Sequence, residues 1–252
     1  MLAVGRSLFW WAGARLRQQP RRAAPRSYGR RSPGVQMRAG AIALAAILWG
    51  TALPGPPASA AEEPVRIVAF GDSLTAGYGL PADAAFPVRL QKALAARGVA
   101  VEIGNAGVSG DTTSGGLARL DWSVPEGTQA VILELGANDM LRGLDPRITR
   151  KALQDILSRL KERHIEVLLC GMLAAPNLGA DYARAFDAIF PDLAASGQLL
   201  LYPFFLAGVI NNPQLVQRDG LHPTAAGVDA IVAGILPLAQ ELVARVRARS
   251  GG

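Results

Sequence analysis

Three short polar blocks carry most of the chemistry legible in this chain: Gly71-Asp72-Ser73-Leu74, Gly136-Ala137-Asn138-Asp139 and Asp219-Gly220-Leu221-His222. The first two follow apolar runs; the third stands just before Pro223 and a long C-terminal helical pattern. Positions just past a strand or at the mouth of a helix are where α/β proteins assemble active sites. A serine, an amide and an Asp-x-x-His pair supply the nucleophile, oxyanion donor and oriented base that acyl transfer needs. The chemistry they point to is that of a serine hydrolase.

Taken singly, each block has a plainer reading. Ser73 at a strand-to-turn junction exposes its Oγ at the sheet edge, and the same position suits an N-cap or turn residue. The pattern is not Gly-x-Ser-x-Gly, so the nucleophile elbow of α/β-hydrolases is absent. In Asn105-Ala106-Gly107-Val108-Ser109-Gly110-Asp111-Thr112, two glycines near a helix start let the backbone approach a ligand and aim an N–H at it. They also describe an ordinary loop capped by Asp111. Asn138 offers an amide donor, or forms a turn with Asp139. The chain has two histidines. His164 closes a helix, where it meets the helix dipole. His222 lies three residues after Asp219, close enough in a tight turn for the carboxylate to reach Nδ1 and leave Nε2 to take a proton from a serine.

The elements that must position these groups alternate. Strands are expected over Val65–Phe70, Val99–Ile103, Gln129–Leu135, Ile165–Cys170 and Leu199–Tyr202. Helices are expected over Pro87–Ala96 (closed by Gly98), Thr113–Leu120, Pro146–Arg163 (N-capped by Asp145), about Asp181–Ala195, and Thr224–Arg247 around Pro237. Such alternation predicts an α/β fold with a mostly parallel sheet covered on both faces.

Together the blocks strongly resemble the SGNH (GDSL) hydrolases, and within them the periplasmic thioesterase I, arylesterase and lysophospholipase group. The likeness spans about residues 64–245. It includes Gly77-Tyr78 after the first block, Gly116-Leu117-Ala118-Arg119-Leu120 after Ser109-Gly110-Asp111-Thr112, and Leu141-Arg142-Gly143 after Glu134-Leu135-Gly136-Ala137-Asn138-Asp139. The resemblance implies a flavodoxin-like three-layer α/β/α sandwich with a five-stranded parallel sheet in the order 2-1-3-4-5. It implies Ser73 as nucleophile, His222 as base and Asp219 as its orienter, with the oxyanion held by the N–H groups of Ser73 and Gly110 and the side chain of Asn138. Two departures stand out: Ala137 where close relatives often carry glycine, and differences over Met172–Asp181, the segment that borders the acyl site in the family.

Composition must be divided before it is used. The formal net charge is +6, but residues 1–61 hold nine arginines and no acid, leaving 17 basic against 20 acidic residues in 62–252. The hydrolase part is mildly acidic, so the basic total gives no ground for a nucleic-acid partner. Within the leader, Ala39–Leu53 is an uncharged, mostly apolar stretch behind arginines and before Ala58-Ser59-Ala60-Ala61. Fifteen residues fall short of the about 20 that span a bilayer. The expectation is a cleaved signal peptide over residues 1–61, with Met37 an alternative start, export to the periplasm or beyond, and no stable membrane anchor afterwards. A retained N-terminal anchor is the alternative. Roughly 190 residues then form one hydrolase domain, 62–252, expected as a monomer. The single cysteine, Cys170, lies in an apolar run and reads as a buried strand residue.

The expected reaction runs through an acyl-enzyme on Ser73 and needs no cofactor or metal, the sequence having no histidine-rich ligand set, Walker loop or Gly-x-Gly-x-x-Gly. Leu74, Tyr78, Leu80, Met172, Leu173 and Leu178 are expected to line an apolar slot beside it. Small aryl esters, acyl thioesters and lysophospholipids are the expected substrates. A carbohydrate or peptidoglycan O-acetylesterase would share every catalytic residue, and a periplasmic acyl-lipid binding module is the non-enzymatic alternative.

Overall fold

In the computed structural model, residues 63–250 are described; the expected signal peptide lies outside them. Five parallel strands, β1 (Val65–Gly71), β2 (Val101–Gly107), β3 (Ala130–Glu134), β4 (Glu166–Cys170) and β5 (Leu200–Tyr202), lie in the order β2-β1-β3-β4-β5. The eight α-helices among the described residues are α1 (Ser73–Ala76), α2 (Phe86–Ala95), α3 (Thr113–Ser123), α4 (Ala137–Leu141), α5 (Pro146–Glu162), α6 (Ala180–Asp187), α7 (Ile189–Gly197) and α8 (Ala225–Ser250). α2 packs with α8 and α3 with α5, so the sheet is the middle of three layers. Every residue of β3, Ala-Val-Ile-Leu-Glu, is buried, as a strand covered on both faces requires.

Local chemistry sets the helix ends. Asp145 accepts the Arg147 N–H at 2.9 Å and Pro146 opens α5, whose Leu153, Ile156 and Leu160 recur at helical spacing and are buried. α8 is long and apolar enough to cross a bilayer, but Val228, Ile231, Ile235 and Leu242 are buried in the core.

Several boundaries differ from the sequence expectation. The Val99 N–H is taken by Leu94 O at 3.1 Å in closing α2, so β2 starts later, at Val101. β2 also runs on to Gly107, because Asn105–Gly107 stay paired with Ala69–Gly71. The expected helix over 181–195 is two helices: Pro191 has no N–H for the Asp187 carbonyl and its ring crowds that group, so α6 ends there. α3 is capped by Thr112, whose Oγ1 accepts the Gly115 N–H at 3.2 Å, and not by Asp111.

The strand order reverses between β1 and β3, one leading outward to β2 and the other to β4. Loops diverge above such a point and leave a crevice at the C-terminal edge of the sheet. Gly107, Gly71, Glu134, Cys170 and Tyr202 form the last paired row across that edge.

The edge is packed without slack. A Cβ on Gly107 would lie 2.3 Å from Ala76 N and 2.8 Å from Asp72 O, both backbone atoms that cannot swing away. Gly107→Ala should therefore destabilise by about 1–3 kcal/mol. At about 2–4 °C per kcal/mol for a domain of this size, calorimetry should show the drop in Tm directly; an unchanged Tm would contradict the packing.

Candidate active site

β1 ends on a glycine because nothing larger fits: a Cβ on Gly71 would lie 2.1 Å from Thr75 Oγ1 and 2.6 Å from Glu134 O. The chain then turns at once into α1. Asp72 is the N-cap, its Oδ1 accepting the Leu74 N–H at 2.9 Å, and Ser73 is the first helical residue. Gly77 closes the four-residue helix at φ 82°, in the left-handed region that favours glycine. Ser73 is thus fixed on a short, doubly anchored turn at the crevice.

Its partner arrives from 149 residues away. Val216 and Pro223 form an antiparallel bridge, Gln217 N donates to His222 O at 2.7 Å, and Gly220 N donates to Gln217 O at 3.0 Å, closing a tight loop. Inside it, Asp219 Oδ1 accepts the N–H groups of Leu221 and His222 at 2.9 and 3.0 Å. Asp219 Oδ2 lies 2.7 Å from His222 Nδ1, and His222 Nε2 lies 2.9 Å from Ser73 Oγ. A carboxylate can only accept, so Nδ1 carries the proton and Nε2 is left to accept from the serine. The two backbone N–H groups, with the imidazole beside them, hold the Asp219 carboxyl down at about 2. The Tyr78 ring packs on His222 with centroids 4.6 Å apart. Gln217 Nε2 donates to both Tyr78 O and Pro223 O, at 2.8 and 3.0 Å, tying that ring to the histidine loop.

Three groups expected to hold an oxyanion each keep a hydrogen to donate. The N–H groups of Ser73 and Gly110 donate to no partner among the described residues. Gly110 adopts φ 84°, and its carbonyl is held by Arg142 Nη2 at 2.6 Å. Asn138, on α4, donates one amide hydrogen to Asp72 Oδ2 at 3.0 Å, which leaves the second free. The sequence leaves Asn138 between an amide donor and a turn with Asp139; here Gly136 at φ 121° precedes a short helix, α4, and Asn138 on it reaches Asp72.

Two buried hubs hold these loops. Arg119 reaches Gly71 O and Ala106 O at 2.8 and 2.9 Å, pairs with Asp111 at 2.5 Å, and lies 4.2 Å over the Phe70 ring. It fastens the ends of β1 and β2 together. Asp139 accepts from Thr113 N, Thr113 Oγ1 and Thr149 Oγ1 at 2.8, 2.6 and 3.1 Å, joining α3, α4 and α5. Beneath Ser73, burial pushes the Asp72 carboxyl up to about 6 and the Glu134 carboxyl well above its ordinary range.

The structure therefore links Ser73, His222 and Asp219 by direct contacts and ties Asn138 to Asp72, the residue before the serine. The expected acyl slot is only partly assembled. Leu74 and Met172 turn into the hydrophobic core, because α1 and the chain after β4 pack directly on the sheet. Leu80 and Leu178 are half-buried against that core, while Tyr78 and Leu173 stay exposed. Val108, Leu141 and Leu221, which sequence reasoning passed over, are exposed apolar neighbours of Gly110, Asn138 and His222 in the chain. Single exposed leucines and valines carry no periodic signal, so only the fold could collect them.

Residues 69–230 match the model of the GDSL-like lipase/acylhydrolase family. The chain belongs to that family. An arylesterase from Vibrio mimicus is 39% identical over 166 residues, covering 66% of this chain and 83% of its own. The thioesterase 1/protease 1/lysophospholipase L1 of Escherichia coli is 40% identical over 158 residues, covering 62% and 74%. Among solved structures, the SGNH-hydrolase family esterase AlinE4 is 47% identical and superposes with a TM-score of 0.61 over 71% of this chain and 96% of that one. The GDSL-like protein described here is an esterase with the expected sheet order.

The buried Asp72 carboxyl gives the fold a pH signature. Its folded value of about 6 lies above the ordinary 3.8, so the native state binds more protons than the unfolded chain between those values. That contribution is fully present below 3.8 and is lost as pH rises through about 6. Denaturant unfolding should show stability falling across this window by an amount missing in Asp72→Asn; identical pH slopes in the two proteins would refute it.

Proposed function

We propose that Ser73, His222 and Asp219 form the catalytic relay of an esterase that works through an acyl-enzyme. The observation that carries this is the unbroken chain of contacts, 2.7 Å from Asp219 to Nδ1 and 2.9 Å from Nε2 to Ser73 Oγ. As Ser73 Oγ attacks the ester carbonyl carbon, its proton passes to His222 Nε2, and Asp219 stabilises the imidazolium. The oxyanion is received by the N–H groups of Ser73 and Gly110 and the free Asn138 amide hydrogen; losing one such donor typically costs on the order of 10²–10³ in kcat. His222 then protonates the leaving alkoxide or thiolate. Water, deprotonated by the same nitrogen, adds to the acyl carbon; the second tetrahedral intermediate collapses, releasing the acid and returning the proton to Ser73.

The proposed substrates are aryl esters, acyl thioesters and single-chain lysolipids. Tyr78, which packs on His222, is proposed to form the acyl-binding surface together with Leu173, Leu80 and Leu178, and burial of an acyl chain there contributes about 0.8 kcal/mol per methylene. Such a surface grades substrates by length more than by leaving group. The relatives named for arylesterase, thioesterase and lysophospholipase activities support this breadth. Export behind a cleaved leader of residues 1–61, and a monomeric 62–252 domain, belong to the same proposal.

Ser73→Ala should abolish ester hydrolysis with the fold intact, and a fluorophosphonate should modify Ser73, read by peptide mass; an adduct on Ser109 or Ser114 would overturn the assignment. Asp219→Asn should lower kcat by about 10³–10⁴, because the imidazole then adopts the wrong tautomer. His164→Gln should keep wild-type turnover, since His164 lies exposed at φ 56° where α5 ends, outside the relay. On p-nitrophenyl esters, rates should rise from acetyl to medium chains. Turnover of acetate alone would move the protein to the carbohydrate acetylesterase class.

A further inference from the structure

The last row of the sheet holds a carboxyl group that the proton relay does not use. Glu134 has no exposed surface. Its Oε2 accepts from Thr75 Oγ1 at 2.8 Å and from Asp72 N at 3.3 Å, and no group among the described residues donates to its buried Oε1. The Asp72 carboxyl, equally buried and on the residue whose N–H reaches Glu134 Oε2, accepts from Leu74 N and Asn138 Nδ2. The charged or titratable groups around the pair do not neutralise it. Cys170, beside Glu134 on β4, is a buried thiol whose ionisation is pushed up. Arg119 is engaged by Asp111, Ser123, Gly71 O and Ala106 O. His222 acts on Asp72 only through space.

Two carboxyl groups in one dry pocket cannot both ionise, so they share a proton. Asp72 receives a backbone N–H and an amide N–H, which favour its anion; Glu134 has one oxygen that receives nothing. We propose that Glu134 is a neutral carboxylic acid whose O–H donates to the Asp72 carboxylate, and that this bond fixes Asp72 where it aims the Asn138 amide: Glu134 is a positioning residue for the oxyanion donor. The inference rests on the donor role given to Asn138 above. Asp72 then accepts three hydrogen bonds, from Leu74, Asn138 and Glu134. Without the third, the carboxylate is free to turn, and the Asn138 amide turns with it.

The test compares Glu134→Gln, which keeps a donor for Asp72 and an acceptor for Thr75, with Glu134→Met, which keeps volume and loses both. On p-nitrophenyl butyrate, Glu134→Gln should retain kcat within about threefold. Glu134→Met should lose about 10–100-fold in kcat with KM little changed, less than the 10²–10³ expected for deleting a donor outright. In an Asn138→Ala background the Glu134→Met penalty should shrink to about twofold, because both changes act on one group. Infrared difference spectra at neutral pH should show the carbonyl band of a buried protonated carboxylic acid in the wild type and not in Glu134→Gln. Absence of that band, a kcat loss in Glu134→Gln as large as in Glu134→Met, or an undiminished penalty in the Asn138→Ala background each overturns the inference alone. If Glu134→Met does not fold, the band and the kcat of Glu134→Gln decide. Wild-type kcat in Asn138→Ala overturns the donor role and this inference with it.

Discussion

The site depends on how closely two strand ends approach. At the C-terminal edge, β1 and β2 finish on Gly71 and Gly107, and α1 folds back so tightly that either glycine with a Cβ would press on its atoms at 2.1–2.3 Å. A side chain at either position would lift α1 off the sheet and move the serine that begins it. The Arg119 guanidinium holds the junction from below, bonding the carbonyls of Gly71 and Ala106 together and covering Phe70. From that junction Asp72 meets Asn138 of the segment after β3, and the loop after β5 brings His222 to the serine.

Two aspartates in this small volume have opposite electrostatics. Asp219 sits in a ring of backbone N–H groups at a partly open loop, and its carboxyl stays ionised down to about 2. Asp72 sits under the serine with no solvent, and burial raises its carboxyl to about 6. The residue type is the same, and the environment assigns the task. An always-charged carboxylate suits the orientation of an imidazole that must become a cation. A buried one, balanced by hydrogen bonds, suits the orientation of a neutral amide.

Much of this was legible in the sequence because the groups that meet lie in short contiguous blocks after apolar runs. Ser73, Asn138 and the Asp219/His222 pair could be named from those blocks, and the sheet order from the family they resemble. What remained hidden depends on contacts between blocks. Asp72 and Glu134 stand in those blocks without a role of their own, and only the β1–β3 register sets Glu134 opposite Gly71. Leu74 and Met172 looked like slot residues because hydrophobicity does not say which way a side chain faces; the sheet took both into the core. The split of the 181–195 helix was readable at Pro191, whose missing N–H outweighs the helical periodicity around it.

The acid and the base share one loop, three residues apart, closed by its own backbone bonds between Gln217, Gly220 and His222. Any displacement of that loop carries both partners as a single rigid cartridge. Such a shear would lengthen the reach from imidazole to hydroxyl and the contacts to Tyr78, while the Asp219–His222 contact inside the loop stays as it is. The tautomer that the relay requires is thus set inside the loop itself, before the imidazole meets the serine.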